Sequence, residues 1–309
     1  MERRRLLQTL LAASAIPWPA RSDQSQPDFT LRSDVRLVML EVSVRNRRGG
    51  LVSGLAKENF TIFENGLRQE PTVFTHEDLP VTVGLLVDES FSMRTRRAEV
   101  ISAAEVFIAE SNRRDEIFVL NFNDRVGRGL PEGVLFSDDP HQLRAALHRG
   151  KPQGKTALND ALVQGLKQLK LGVREKKAIV LISDGGDNAS AHSKRETLRE
   201  TERSAATIYA IGLYDEGDQD RNPGFLQQLA AISGGEAYFP LKTEEMPAVC
   251  RRIAKDIRAR YTLGYVPAAS DTSGNLRHIR VRVTAKDGEK LAVRARTSYL
   301  YGDDAAKKS

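Results

Sequence analysis

The sequence predicts an α/β fold: a doubly wound, mostly parallel six-stranded sheet, with a small β domain built from the two segments that flank it. Three observations carry this. Between Val81 and Ile257, short and nearly continuous apolar runs take turns with helical spacing. Runs of that kind mark strands buried on both faces. Strands separated by helices of this length imply parallel pairing through right-handed crossovers. Finally, residues 34–76 and the segments after Tyr261 read as β structure. Each flank is too small to bury a core by itself, so the two are expected to share one.

The elements follow in order. Val35–Arg45 is an apolar-rich strand that ends at the turn residues 46–50 (NRRGG). Phe60–Glu64 is a short strand, Asn65-Gly66 a hairpin signal, and Val73–Thr75 the start of another strand. Val81–Val87 opens the central sheet, and the helix after it carries Val100, Ala103, Ala104, Phe107 and Ile108 on one side. Strand Ile117–Phe122 comes next, then an edge piece near Val134–Phe136, and helices at Pro140–His148 and Ala157–Leu171. Strand Ala178–Ser183, helix Lys194–Ala206, strand Thr207–Leu213, helix Pro223–Ile232 and strand Ala237–Phe239 continue the alternation. Met246, Val249, Cys250, Ile253 and Ile257 share the face of a last helix. Strands Tyr261–Val266, His278–Ala285 and Leu291–Arg296 end the fold.

Of the 309 residues, 40% are hydrophobic and 28% charged, which excludes a disordered chain and a multi-span membrane protein. Cys250 is the only cysteine, so no intramolecular disulfide and no cysteine-cluster metal site can form. The five histidines show no HExxH or paired spacing, which argues against zinc chemistry. The net charge is +6, of which Arg3, Arg4 and Arg5 against Glu2 account for +2. The remaining surplus is spread along the chain without interleaved aromatics, so no nucleic-acid partner is implied.

Residues 1–20 read as a signal peptide. A basic start is followed by the short apolar stretch Leu6–Ile16 and a small residue, Ala20, and the stretch is too short for a permanent membrane span. Arg3-Arg4-Arg5-Leu6-Leu7 also resembles the twin-arginine leaders of proteins exported after folding. The expected organisation is then a signal peptide (1–20), an N-terminal β segment (21–79), an α/β domain (80–258), a C-terminal β segment (259–302) and a charged, flexible tail (303–309). The expected location is periplasmic or secreted.

In a doubly wound sheet, ligands bind beyond the carboxyl ends of the strands. Three loops there carry oxygen donors: Asp88-x-Ser90-x-Ser92 after the first strand, Gly154-Lys155-Thr156 before the third helix, and Ser183-Asp184-Gly185-Gly186 after the fourth strand. Two carboxylates and three hydroxyls suit Mg²⁺, Mn²⁺ or Ca²⁺, leave the site neutral, and keep a coordination position open. Asp124, Asp187 and Asn188 read as loop residues, His192 as a surface residue, His76 and His278 as part of the β domain, and Cys250 as core. Gly150-x-x-x-Gly154-Lys155-Thr156 has three intervening residues where a phosphate-binding loop needs four, and it follows a helix. No G-x-S-x-G elbow surrounds Ser90 or Ser92.

In order and context, Asp88, Ser90, Ser92, Thr156 and Asp184 resemble the metal-ion-dependent adhesion site of von Willebrand factor A domains, a resemblance spanning roughly residues 80–258. The flanks are similar to those of an exported bacterial (acidobacterial-type) subgroup, through the residue 57–66 segment (KENFTIFENG) and Tyr261-Thr262-Leu263-Gly264-Tyr265. The resemblance implies that Ser90, Ser92 and Thr156 bind a cation, Mg²⁺ first among the candidates, with Asp88 and Asp184 binding directly or through water. It also implies a non-enzymatic module whose protein partner supplies an acidic side chain. Phe91 departs from the glycine commonest at its position and would restrict partners. The alternatives are a metal-dependent hydrolase, and an envelope protein whose metal only stiffens its loops; neither partner identity nor oligomeric state is legible.

Replacing Arg3, Arg4 and Arg5 together by lysine is expected to abolish export if the twin-arginine route is used. Periplasmic yield measures this, and an unchanged yield would assign export to the general secretory route.

Overall fold

The computed structural model describes residues 37–214, 221–267, 275–285 and 288–301. The expected signal peptide and the expected tail lie outside the described residues. The N-terminal flank supplies β1 (Val38–Arg45), β2 (Phe60–Glu64), β3 (Leu67–Gln69) and β4 (Val73–Thr75). The alternating units follow: β5 (Val81–Asp88), α1 (Arg97–Glu110), β6 (Glu116–Phe122), β7 (Val126–Arg128), α2 (Pro140–His148) and α3 (Leu158–Leu169). They continue with β8 (Lys176–Ser183), α4 (Lys194–Arg203), β9 (Thr207–Gly212), α5 (Pro223–Ser233), β10 (Ala237–Tyr238) and α6 (Met246–Arg258). The C-terminal flank supplies β11 (Tyr261–Tyr265), β12 (Leu276–Val283), β13 (Ala292–Arg294) and β14 (Ser298–Leu300).

The central sheet has six strands in the order β10-β9-β8-β5-β6-β7, all parallel except β7. Every residue of β5 is buried, which is why its sequence runs apolar without alternation. α1 packs against α2 and α6, and α4 packs against α3 and α5. Their starts are set locally. Asp139 caps α2 and Asn222 caps α5, each ahead of a proline in the first turn, and Ser193 with Glu196 forms a capping box on α4. No helix among the described residues is long and apolar enough to cross a membrane.

The edge differs from expectation. The strand beside β6 is Val126–Arg128, reached by a hairpin, while the 134–136 segment only leads to a single bridge between Ser137 and Ile117. Val134 and Phe136 are apolar because they pack on the core, not because they belong to a strand.

The flanks interleave into two four-stranded sheets, β13-β1-β11-β4 and β14-β12-β2-β3, and strands from both ends of the chain occur in each. Asn65 and Gly66, both at positive φ, turn β2 directly into β3. Both sheets feed one apolar cluster that includes Leu40, Val42, Ile62, Tyr261, Leu263 and Tyr265. Neither flank could close this cluster alone.

The β layers are tied to the α/β core by a buried charge cluster around Asp256 of α6. Its carboxylate accepts from Arg260 Nη2 and Arg45 Nη2, each at 2.9 Å, and from Tyr209 Oη and Ser43 Oγ, each at 2.6 Å. Burial alone would push the Asp256 carboxyl up. Arg260, the Ser43 and Tyr209 hydroxyls and Arg45 outweigh it and hold the group well below the usual carboxylate range.

Asp256→Ala is expected to cost about 3–5 kcal/mol, because Arg260 loses its ion-pair partner while buried and Arg45 keeps only Glu236, at 3.4 Å. A depressed folded pKa gives stability that is whole above the unfolded value near 4 and is lost as pH falls. Urea denaturation should therefore show the gap between wild type and Asp256→Asn narrowing between pH 7 and pH 3.

Candidate metal centre

The site residues sit where the parallel sheet ends. In β5, Asp88 lies level with Phe122 of β6, and Val87 is paired with Ile182 of β8. Ser183 therefore lies beside Asp88 and donates its hydroxyl to Asp88 Oδ2 at 2.6 Å. The backbone N–H of Ser90 donates to Asp88 Oδ1 at 2.9 Å, which turns the chain sharply after the strand. That turn brings Ser90 Oγ within 3.0 Å of Ser92 Oγ, and Ser92 Oγ donates to Asp184 Oδ2 at 2.7 Å. Asp184 Oδ1 in turn accepts from the N–H of Gly186 at 2.8 Å. Four of the residues singled out in the sequence are thus joined by direct hydrogen bonds.

Thr156 reaches the same rim by a different route. It is buried, and no hydrogen bond links its hydroxyl to the other four. Its loop is fastened to theirs: Phe91 N–H donates to the Gly154 carbonyl at 3.1 Å, and Gln153 N–H to the Glu89 carbonyl at 2.9 Å. Asp124 and Asn188, read from sequence as loop residues, hold this loop. Asp124 Oδ1 accepts from Lys155 N–H at 2.6 Å, and Asn188 Oδ1 from Thr156 N–H at 2.9 Å. Gly154 has φ +73°, and a Cβ there would come within 2.3 Å of Asp124 Oδ2, so only glycine fits. Asp187 accepts from Asn159 N–H at 2.7 Å and so ties its own loop to α3.

Electrostatics is the distinguishing property of the rim. Asp88 and Asp184 are 2% and 4% exposed, and neither makes an ion pair among the described residues. Burial, and then the charge of Asp184, push the Asp88 carboxyl up to about 7, against weaker opposition from the Ser183 and Ser90 hydrogen bonds. Among the described residues no group of three or more His, Cys, Asp or Glu could hold a metal. The donors here are two carboxylates and three hydroxyls, all hard oxygens short of positive charge, which fits a divalent cation of the Mg²⁺ or Ca²⁺ kind. Phe91 stands on the rim, 61% exposed, with the Arg94 guanidinium 4.9 Å from its ring centre. Its neighbour Glu89 is buried and bonded to Arg97 Nε at 2.8 Å, a role that the sequence pattern does not signal. Cys250 is fully buried and its thiol is pushed up to about 12, as suits a core residue.

Residues 83–186 match the family model for the von Willebrand factor type A domain. The matched span contains all five candidate ligands. Among solved structures, a von Willebrand factor type A protein from Catenulispora acidiphila is similar over 88% of this chain and 76% of its own, at 13% identity and a TM-score of 0.52. The von Willebrand factor domain of the type V pili tip protein Mfa5 from Porphyromonas gingivalis is similar over 58% of this chain and 95% of its own, at 15% identity and a TM-score of 0.50. At these identities the likeness shows the fold. No curated protein is detectably similar in sequence.

The raised Asp88 pKa has a testable sign. In the metal-free protein the folded state favours the protonated carboxyl, so its contribution is whole below about pH 4 and is lost as pH rises through 7. In EDTA, Asp88→Asn is therefore expected to exceed wild type in stability by about 1–4 kcal/mol at pH 8, and by little near pH 4. Thermal denaturation at the two pH values measures it.

Proposed function

We propose that this chain is an exported, non-enzymatic protein-binding module of the adhesion type, which uses a divalent cation to hold an acidic side chain of its partner. Asp88, Ser90, Ser92, Thr156 and Asp184 would hold the cation, Mg²⁺ first among the candidates, with Mn²⁺ and Ca²⁺ as chemically equivalent alternatives. The bound ion would supply a positive charge that accepts one more oxygen ligand. The observation that carries the reading is the pair of buried carboxylates with no side-chain counter-charge among the described residues, set among hydroxyls at the open rim of a parallel sheet.

The family-model match spans the three loops involved and supports the adhesion-site assignment. A pili tip protein among the structures of similar fold is consistent with work at a cell surface. Export rests on the arginine-led leader, and membership of the exported bacterial (acidobacterial-type) subgroup rests on the flank motifs at residues 57–66 and 261–265. The chain's own residues have separate tasks in this reading. Ser183 and Ser90 N–H orient Asp88, Gly186 N–H orients Asp184, and Asn188 with Asp124 sets the height of the Thr156 loop.

Wild type is expected to gain about 1.4 kcal/mol of stability at Mg²⁺ concentrations ~10 times Kd. Asp88→Ala and Asp184→Ala should abolish that gain while keeping the fold, and Thr156→Ala should weaken it less. Calorimetry with Mg²⁺, Mn²⁺ and Ca²⁺, alone and with acetate or glutamate present, tests this. Silence of all three ions in both settings overturns the proposal. Metal binding that never promotes carboxylate binding would leave the ion as a loop stiffener only.

A further inference from the structure

Beside the candidate metal centre lies a second feature, a cleft of about 420 Å³ between the β6–β7 hairpin and the 149–153 loop. Four of its lining side chains are cations: Arg125, Arg128, Arg149 and Lys151. All four are exposed, and among the described residues none makes an ion pair or a side-chain hydrogen bond. Glu89 is the lining acid, and its charge is already taken. It is 2% exposed, bonded to Arg97 at 2.8 Å, and shut in by Gly150, where a Cβ would fall 2.4 Å from Oε1. The lining of the cleft therefore carries a positive excess that no ion pair among the described residues offsets. Like charges gathered around one hollow repel weakly in water and favour an anion that enters it.

The cleft and the candidate metal rim adjoin at Glu89. Glu89 stands between Asp88 and Ser90, lining one and flanking the other, and its carbonyl accepts from Gln153 N–H. Gln153, on the cleft wall, precedes Thr156 by three residues, so chain length alone keeps the two within about 11 Å. An extended segment covers that span in three to four residues. No aromatic side chain lines the cleft, so it offers no stacking platform for a nucleotide base. A single guanidinium can hold a carboxylate by two parallel hydrogen bonds, and the cleft offers Arg125 and Arg128 from the hairpin and Arg149 from the facing loop.

We propose that this cleft receives a second carboxylate of the same partner segment, so that the module reads a pair of acidic side chains about three residues apart. The inference rests on the metal-dependent reading of the adjoining rim. It names the partner's chemistry: an extended protein segment with two spaced Asp or Glu residues.

The test uses two labelled peptides in Mg²⁺: one with glutamates three positions apart in a Gly/Ser context, the other with the second glutamate replaced by glutamine. Wild type is expected to bind the two-acid peptide at least about tenfold more tightly, the worth of one charge-assisted pair. Arg125→Gln with Arg149→Gln should bind both peptides alike, at the one-acid affinity, with Mg²⁺ affinity by calorimetry unchanged. Arg280→Gln with Arg282→Gln, on β12, should keep the tenfold preference, which separates the cleft from net charge. Equal affinities in wild type, with Mg²⁺-dependent binding of both peptides, would overturn this inference and leave the metal reading standing. A preference that survives the Arg125 and Arg149 changes, no peptide binding at all, or stronger competition by a sulfated oligosaccharide than by the two-acid peptide would also overturn it. Absence of Mg²⁺ binding by calorimetry would remove the metal reading and this one with it.

Discussion

Two carboxylates buried close together, with no side-chain counter-charge among the described residues, are the constraint around which one rim of this protein is arranged. An isolated buried charge is costly, and a like charge nearby makes it costlier. The chain meets part of that cost with hydroxyls and backbone N–H groups, from Ser183, Ser90, Ser92 and Gly186. None of these carries a full positive charge. The loops around the rim are correspondingly over-determined. Asp124, Asn188 and Asp187 each spend a side chain on fixing a backbone N–H of the Thr156 loop or the start of α3. Such an arrangement defines donor positions in advance of any ligand.

A second buried charge solves the opposite problem. Asp256 has two positive partners, Arg45 of β1 and Arg260 at the junction of α6 with β11, and two hydroxyl donors, Ser43 of β1 and Tyr209 of β9. The cluster gives the β layers a fixed seat on the α/β core, by polar contacts whose geometry admits few alternatives. One end of the molecule is thus electrostatically closed while the other is left open.

Much of the fold was legible in the sequence because burial on both faces writes itself into uninterrupted apolar runs, as at Val81–Val87 and Ala178–Ser183. The rim loops were legible because topology puts strand ends at one rim, so that Asp88 and Asp184 had to approach one another. Edge structure was not. β7 contributes a single apolar residue, Val126, so no period identifies it, whereas the 134–136 segment owes its hydrophobicity to packing on the core. The flanks were expected to pair and do, but as two sheets over one cluster, since Val73–Thr75 lies apart from the β2–β3 hairpin and joins β11. In the sequence Asp124 and Asn188 read only as loop residues and Glu89 does not stand out, because their tasks arise from approaches such as those at Gly150 and Gly154, which no local pattern records. The Asp256 cluster was invisible for a similar reason: its members are scattered along the chain from Ser43 to Arg260.

The junction between the β layers and the α/β core has a mechanical side. The chain enters the core after β4 and leaves it into β11, and these two strands are hydrogen-bonded neighbours. At the crossing, Lys176 Nζ donates to the Glu77 and Arg260 carbonyls, at 3.3 and 3.4 Å, and Arg258 pairs with Asp78. Lys176 is the first residue of β8, whereas Asp184 follows its last, so the crossing and the rim lie at opposite ends of the same strand. A tensile load applied at the rim would run down the length of the parallel sheet and divide between two covalent tethers that move together. The core is therefore held as a pendant on a double strap, and tension would not peel it open from one side.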